Sequence, residues 1–287
     1  MAADRPVVVI VGPTASGKTR TAISLAKKIR GEIICADSRT VYAHMNIGTA
    51  KPMSQEQQDV THWGLDLVSP NERYNAAQFQ AYARRTIREI HARGNVPIIV
   101  GGTGLYVDAL IFDYTFPAPP SKKQRCALES MQPEAQYLYC IKNNVELPEQ
   151  NKNKRRLERA TRTSTTSDQR GSRPKDTTIV VGIATNKQVI EQRIARRTEQ
   201  MFDDGVVEEA RMLGKKYGWD VEAMKSNVYR IIKMYLDGSI DLRAAKEKNN
   251  ITDRQLVKRQ MTWFRRNPHI LWMQNDEVED NVIARLE

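Results

Sequence analysis

Near the start of the chain the residues Gly12-Pro13-Thr14-Ala15-Ser16-Gly17-Lys18-Thr19 obey the pattern GxxxxGK[ST], and their flanks restrict the fold they can belong to. In front lies Val7–Val11, a continuous apolar run of the kind that fills a parallel strand buried on both faces. Behind it, Thr19–Ile29 has helical spacing. A strand that runs through a glycine-rich turn into a helix presents consecutive backbone N–H groups to phosphate oxygens. The helix adds the positive end of its dipole. Lys18 contributes a formal charge and Thr19 a hydroxyl able to ligate Mg²⁺. The expectation is a polyphosphate site at the C-terminal end of a buried parallel strand.

The same alternation continues. Strands are predicted at Glu32–Ala36, Val96–Val100 and Thr178–Ile183, with a helix over Asn75–Arg93 between the second and third strands. Strands alternating with helices imply an α/β fold, a P-loop NTPase-like parallel sheet with flanking helices. The pattern breaks at Pro117, Pro119 and Pro120 and resumes only after the polar stretch Thr161–Thr177. Residues 115–176 therefore read as a mostly helical insertion between a first core segment, 1–114, and a second, 177–287. From Asn186 the spacing of apolar residues is helical almost to Trp272.

Charge adds a partner class. The chain carries a net charge of +11, and between Asn151 and Lys175 nine basic residues face two acidic ones, which suits a polyanion. The three cysteines, Cys35, Cys126 and Cys140, show no paired spacing, which argues against a disulfide framework or a zinc site. No apolar run approaches the length of a membrane span, so a cytoplasmic protein without a membrane partner is expected.

Hydrolysis of a nucleotide at such a loop normally uses a carboxylate at the end of a buried strand to help hold the metal. Here Ile98-Ile99-Val100 runs into Gly101-Gly102-Thr103-Gly104-Leu105-Tyr106, with no acid. The nearest acid is Asp37, which ends the preceding strand and is either a metal ligand or a base. Ends of neighbouring parallel strands line one crevice, so Asp37, Thr103 and the phosphate loop are expected to face the same ligand.

Taken together, GPTASGKT (12–19), DSRTVY (37–42), IGTAKP (47–52), GGTGLY (101–106) and KRQMTWFR (258–265) resemble the tRNA dimethylallyltransferase family, of the bacterial type, from Val7 to about Trp272. The resemblance implies transfer of a dimethylallyl group from dimethylallyl diphosphate to N6 of the adenosine immediately 3′ of the anticodon, with Mg²⁺ and release of diphosphate. It makes Asp37 the general base, with Thr103 and Lys18 beside the reacting groups. It places Asp37, Ser38, Arg39, Thr40, Thr103 and Arg125 against the tRNA anticodon stem-loop. It also gives the basic residues Lys154, Arg155, Arg156 and Arg159 of the insertion, with Lys258 and Arg259, an RNA-facing role. Lys187 stands where the family often has an arginine near the diphosphate. Trp63, Lys154 and Ser226-Asn227-Val228-Tyr229 are further departures, with Val228 at a position that is usually glycine. A monomer is expected. The rival readings are an enzyme that prenylates free adenine nucleotides, a P-loop nucleotide kinase or ATPase, and a non-catalytic RNA-binding protein.

Overall fold

A computed structural model of the chain describes residues 6–116, 130–142, 171, 173–174 and 177–287. Its centre is a six-stranded parallel sheet of β1 (Val7–Val11), β2 (Gly31–Cys35), β3 (His62–Trp63), β4 (Val96–Gly101), β5 (Thr178–Ile183) and β6 (Leu271–Met273). The spatial order is β3-β2-β4-β1-β5-β6. Helices α1 (Lys18–Ile29), α2 (Ser54–Gln57), α3 (Ala76–Ala92) and α4 (Gly104–Ile111) follow the first four strands. The later helices of this part are α6 (Lys187–Asp203), α7 (Val206–Tyr217), α8 (Asn227–Leu236), α9 (Leu242–Phe264) and α10 (Val278–Leu286). Between them in the chain lies α5 (Pro133–Lys142).

The predicted central strands appear within a residue of their expected ends. The edge strands β3 and β6 had no sequence signal, because two or three residues are too few to show a period. The helical stretch expected almost to Trp272 ends at Phe264, and Trp272 lies in β6. The chain forms two compact units, Met1–Phe112 with Arg173–Glu287, and Asp113–Ser172. In the second unit, α5 buries Gln136 and Cys140.

The apolar runs of the middle strands are why they sit inside. Val8, Ile10, Ile33, Ile98, Val181 and Ile183 are at most 1% exposed and pack with Ala22, Leu25 and Ala26 of α1. Fully burying side chains of this kind stabilises the fold by about 1.5–3 kcal/mol each. At the β2 edge, Glu32 is held by Arg93, Asn95 and the Trp63 indole, which donates to it at 2.7 Å. That contact gives Trp63 a packing role. Val228 is likewise buried on α8, in a second core with Tyr42, Met45 and Leu213.

The loop between β2 and β3 contains the IGTAKP segment and would have many unpaired backbone groups without help. Buried Glu209 of α7 supplies it. Its carboxylate accepts from the N–H groups of Asn46, Ile47 and Gly48 at 2.8, 2.8 and 2.9 Å, and from the Tyr229 hydroxyl at 2.7 Å. Burial and the Glu209 charge both push the Tyr229 hydroxyl far above its ordinary value, so it stays a donor. Lys51 closes the loop from the other side, donating to the Tyr42 carbonyl at 2.8 Å and to Asp66 at 2.5 Å. Replacing Glu209 by alanine strands several buried donors and is expected to cost about 3 kcal/mol or more in urea unfolding. A loss below about 1 kcal/mol would contradict this role for Glu209.

Candidate active site

The sheet order puts β4 between β2 and β1, so the loops leaving these three strands lie side by side. They are the phosphate loop after β1, the Asp37 loop after β2 and the Gly101–Gly104 loop after β4. Close approach of the last two requires glycine, since a Cβ on Gly101 would lie 2.0 Å from the Ala36 carbonyl oxygen. The Ala36 carbonyl instead accepts from the Thr103 N–H at 3.3 Å. Next to it, the Thr103 hydroxyl accepts from the Ser38 N–H at 3.0 Å. Asp37 is braced by its own turn, one carboxylate oxygen accepting from the Arg39 N–H at 2.8 Å. Among the described residues the second oxygen has no hydrogen-bond partner.

In the phosphate loop Gly17 caps α1 at φ 93°, a left-handed conformation that side-chain-bearing residues rarely adopt. The first turn of α1 therefore begins at Lys18 with its N–H groups free of intrahelical partners. The Lys18 ammonium donates to the Pro13 carbonyl at 3.0 Å. Burial draws its pKa down to about 8, with the Asp37 carboxylate pulling it up and Arg197 pushing it down further.

Helix α6 braces the loop from the β5 side. Arg197 donates to the Thr14 hydroxyl at 2.6 Å, and Arg193 donates to the carbonyls of Ala15 and Ser16 at 3.3 and 3.2 Å. Asn275 donates to the Ser16 carbonyl at 3.0 Å. Gln260 of α9 accepts from the Thr14 N–H. A cavity of about 740 Å³ is lined by Thr14, Lys18, Thr19, Asp37, Thr40 and Arg197, among others. Among the described residues, the Thr40 hydroxyl and the Arg197 Nε on its wall, and the Ser16 hydroxyl inside the loop, are buried without hydrogen-bond partners. Buried polar groups are rarely left unmatched unless a ligand or solvent completes them. An anion bordered by the loop N–H groups, Lys18 and Arg197 fits this arrangement, with Asp37 as the carboxylate on the same wall.

The structure thus brings together Gly12 to Thr19, Asp37, Ser38, Arg39, Thr40 and Thr103. Lys187 is elsewhere: at the first turn of α6 its side chain is 88% exposed and pairs with Glu191, and the basic residues of that helix on the loop are Arg193 and Arg197. The four-residue spacing of those two arginines was visible, but a basic pair on an amphipathic helix ordinarily marks a solvated face. Lys258 and Arg259 are exposed on α9. The Trp263 indole next along the helix donates to Asp108 at 2.7 Å, and Phe264 is buried in the core. Arg125, Lys154, Arg155, Arg156 and Arg159 lie outside the described residues.

Comparison with known proteins gives a consistent picture. Residues 40–267 match the model of the IPP transferase family. The chain is 36% identical to a tRNA dimethylallyltransferase of Anoxybacillus flavithermus, over 97% of this chain and 93% of the relative. It is 38% identical to one of Geobacillus thermodenitrificans, over 95% and 91%. Among solved structures, it is similar to the tRNA isopentenylpyrophosphate transferase of Bacillus halodurans, with a TM-score of 0.77 and 32% identity over 99% of this chain and 97% of that one. It also resembles a eukaryotic dimethylallyltransferase acting on tRNA, with a TM-score of 0.81 and 25% identity over 95% and 74%.

The depressed Lys18 pKa has a measurable consequence. At about pH 8.5 free Lys18 is largely neutral, and a bound diphosphate raises its pKa again, so binding takes up a proton. Titrating an alkyl diphosphate monoester, in buffers of different ionisation enthalpy, should show an uptake of roughly half a proton or more that Lys18→Met abolishes. No uptake in the unaltered protein would contradict the assignment.

Proposed function

The chain belongs to the IPP transferase family, and we propose on that footing that it transfers a dimethylallyl group from dimethylallyl diphosphate to N6 of the adenosine 3′ of the anticodon in tRNA. The observation that carries the reading is the pairing, in one cavity, of an anion-binding loop with the Asp37 carboxylate. The end of β4 is glycine and threonine, where a nucleotide hydrolase would have an acid. The tRNA-acting relatives support RNA as the acceptor, and a tRNA acceptor in turn supports a cytoplasmic setting. Among the described residues, no helix is long and apolar enough to cross a membrane.

The chemistry follows from the groups present. The N6 lone pair forms a bond to the allylic carbon as the carbon–oxygen bond breaks, and the electrons of that bond leave with the diphosphate. The phosphate-loop N–H groups, Lys18 and Arg197 meet the charge that builds on the leaving oxygens. An exocyclic amine is a weak nucleophile because its lone pair is shared with the ring, so its proton must go to a base as the bond forms. The free oxygen of Asp37 takes it. Thr103, fixed to the Ser38 N–H, keeps the Asp37 loop beside the Gly101–Gly104 loop.

Among the described residues no cluster of three or more His, Cys, Asp or Glu forms a metal cage. That suits Mg²⁺, which keeps several waters and takes one or two protein oxygens together with substrate phosphates. Thr19, exposed on the cavity wall, is the hydroxyl that would hold it, and the ion supplies further neutralisation of the leaving group. The adenosine must leave its stack to reach the cavity. The basic stretch of the insertion and the exposed Lys258 and Arg259 are the groups that would hold the RNA backbone while it does. The groups given roles here all belong to one chain, which supports a monomer as the working unit.

With Mg²⁺ and labelled dimethylallyl diphosphate, label is expected on unmodified tRNA and not on AMP; label confined to AMP would overturn the reading. Asp37→Ala should lower turnover by roughly two orders of magnitude or more with tRNA affinity little changed. Unaltered turnover would remove Asp37 as the base. Neutralising Arg155, Arg156 and Arg159 together should weaken tRNA binding and flatten its salt dependence, and an unchanged salt slope would exclude them from the RNA contact.

A further inference from the structure

Gln260 follows the exposed pair Lys258-Arg259 on α9, yet its side chain turns inward. Its Oε1 accepts from the Thr14 N–H at 2.9 Å, and its Nε2 donates to the Gly102 carbonyl at 3.0 Å. The fit is close: a Cβ on Gly102 would lie 2.3 Å from Nε2. One turn onward, Trp263 seats the same helix on α4 through its bond to Asp108, and its ring covers Gly104. The amide is thereby held between two loops that are far apart in sequence. Thr14 belongs to the loop that holds the diphosphate. Gly102 precedes Thr103, whose hydroxyl accepts from the N–H of Ser38 next to Asp37.

We propose that Gln260 is a positioning residue that locks the phosphate loop in register with the loops carrying Thr103 and Asp37, a role that rests on the prenyl-transfer reading above. It touches no reacting atom and acts through Thr14 and Gly102. The work needs one acceptor and one donor on a single rigid group, which a primary amide provides and a carboxylate, ammonium or thioether does not. Because donor carbon and base sit on different loops, a slip between those loops misplaces the attack geometry without removing any catalytic group.

Gln260→Met keeps length and bulk and removes both hydrogen bonds. At saturating tRNA and dimethylallyl diphosphate, kcat should fall roughly tenfold to a hundredfold, with the Kd for tRNA within about twofold of the unaltered protein. A raised Kd with unchanged kcat would make Gln260 an RNA contact and overturn the proposal. A lowered Tm with unchanged kcat per folded molecule would do the same by making it structural only. Gln260→Glu keeps the acceptor for Thr14 but opposes the Gly102 carbonyl with a second acceptor. Its kcat deficit relative to the unaltered enzyme should therefore shrink as pH falls and the carboxyl gains a proton, whereas a pH-independent ratio would overturn the lock. Hydrogen exchange at the Thr14 amide, read without substrate, separates this proposal from the function it rests on. Faster exchange in Gln260→Met supports the lock even if the unaltered protein prenylates no tRNA, and unchanged exchange overturns it.

Discussion

Parallel pairing of β1 with β4 and of β4 with β2 is the constraint on which the site depends. Val11 lies opposite Gly101, and Cys35 lies opposite Val100, so all three strands end at one level. At a strand spacing of about 4.8 Å, the phosphate loop and Asp37 stand roughly 10 Å apart across β4. That gap suits a ligand whose diphosphate rests on one loop and whose reacting carbon points toward the other. The strand between them ends in Gly101 and Gly102, which let the Ala36 carbonyl and the Gln260 amide come close. An acid at that strand end would favour a metal-assisted attack on phosphorus. Asp37, one strand further out, is the carboxylate on the cavity wall, which supports its proposed role as base.

The electrostatics of the site reinforce this. Lys18 and Arg197 are cations brought together with part of their hydration removed, which lowers the Lys18 pKa and leaves an Arg197 nitrogen unsatisfied. An anion beside Lys18 would favour its charged form and draw its pKa back up. Glu209 and Lys51 fix the loop between β2 and β3, and α6 and α9 both fasten the phosphate loop at Thr14.

How much of this was legible in the sequence depends on range. Val7–Val11 and Thr178–Ile183 were readable to the residue, because a fully buried parallel strand is written as an unbroken apolar run. The phosphate loop, Asp37 and Thr103 were legible as strand-end residues, since the alternation of strands and helices already implied a shared crevice. The edge strands were not, being too short to carry a pattern. Nor were Glu209, Arg193, Arg197 and Gln260, whose partners lie between about 150 and 250 residues away and whose residue types are ordinary on solvated helix faces. Gln260 lies within KRQMTWFR, where its basic neighbours carry the signal that points to RNA.

In the proposed reaction the loop from Gly12 to Thr19 holds a leaving group and not a fuel. Dimethylallyl diphosphate carrying heavy oxygen at the bridge between carbon and phosphorus tests it in a single turnover with unmodified tRNA. If the carbon–oxygen bond breaks, all of the heavy oxygen appears in released diphosphate, one for each prenyl group gained by the tRNA, and no orthophosphate forms. Release of orthophosphate, or heavy oxygen in a free prenyl alcohol with none in the diphosphate, would mean that a bond to phosphorus is cut and would contradict the account.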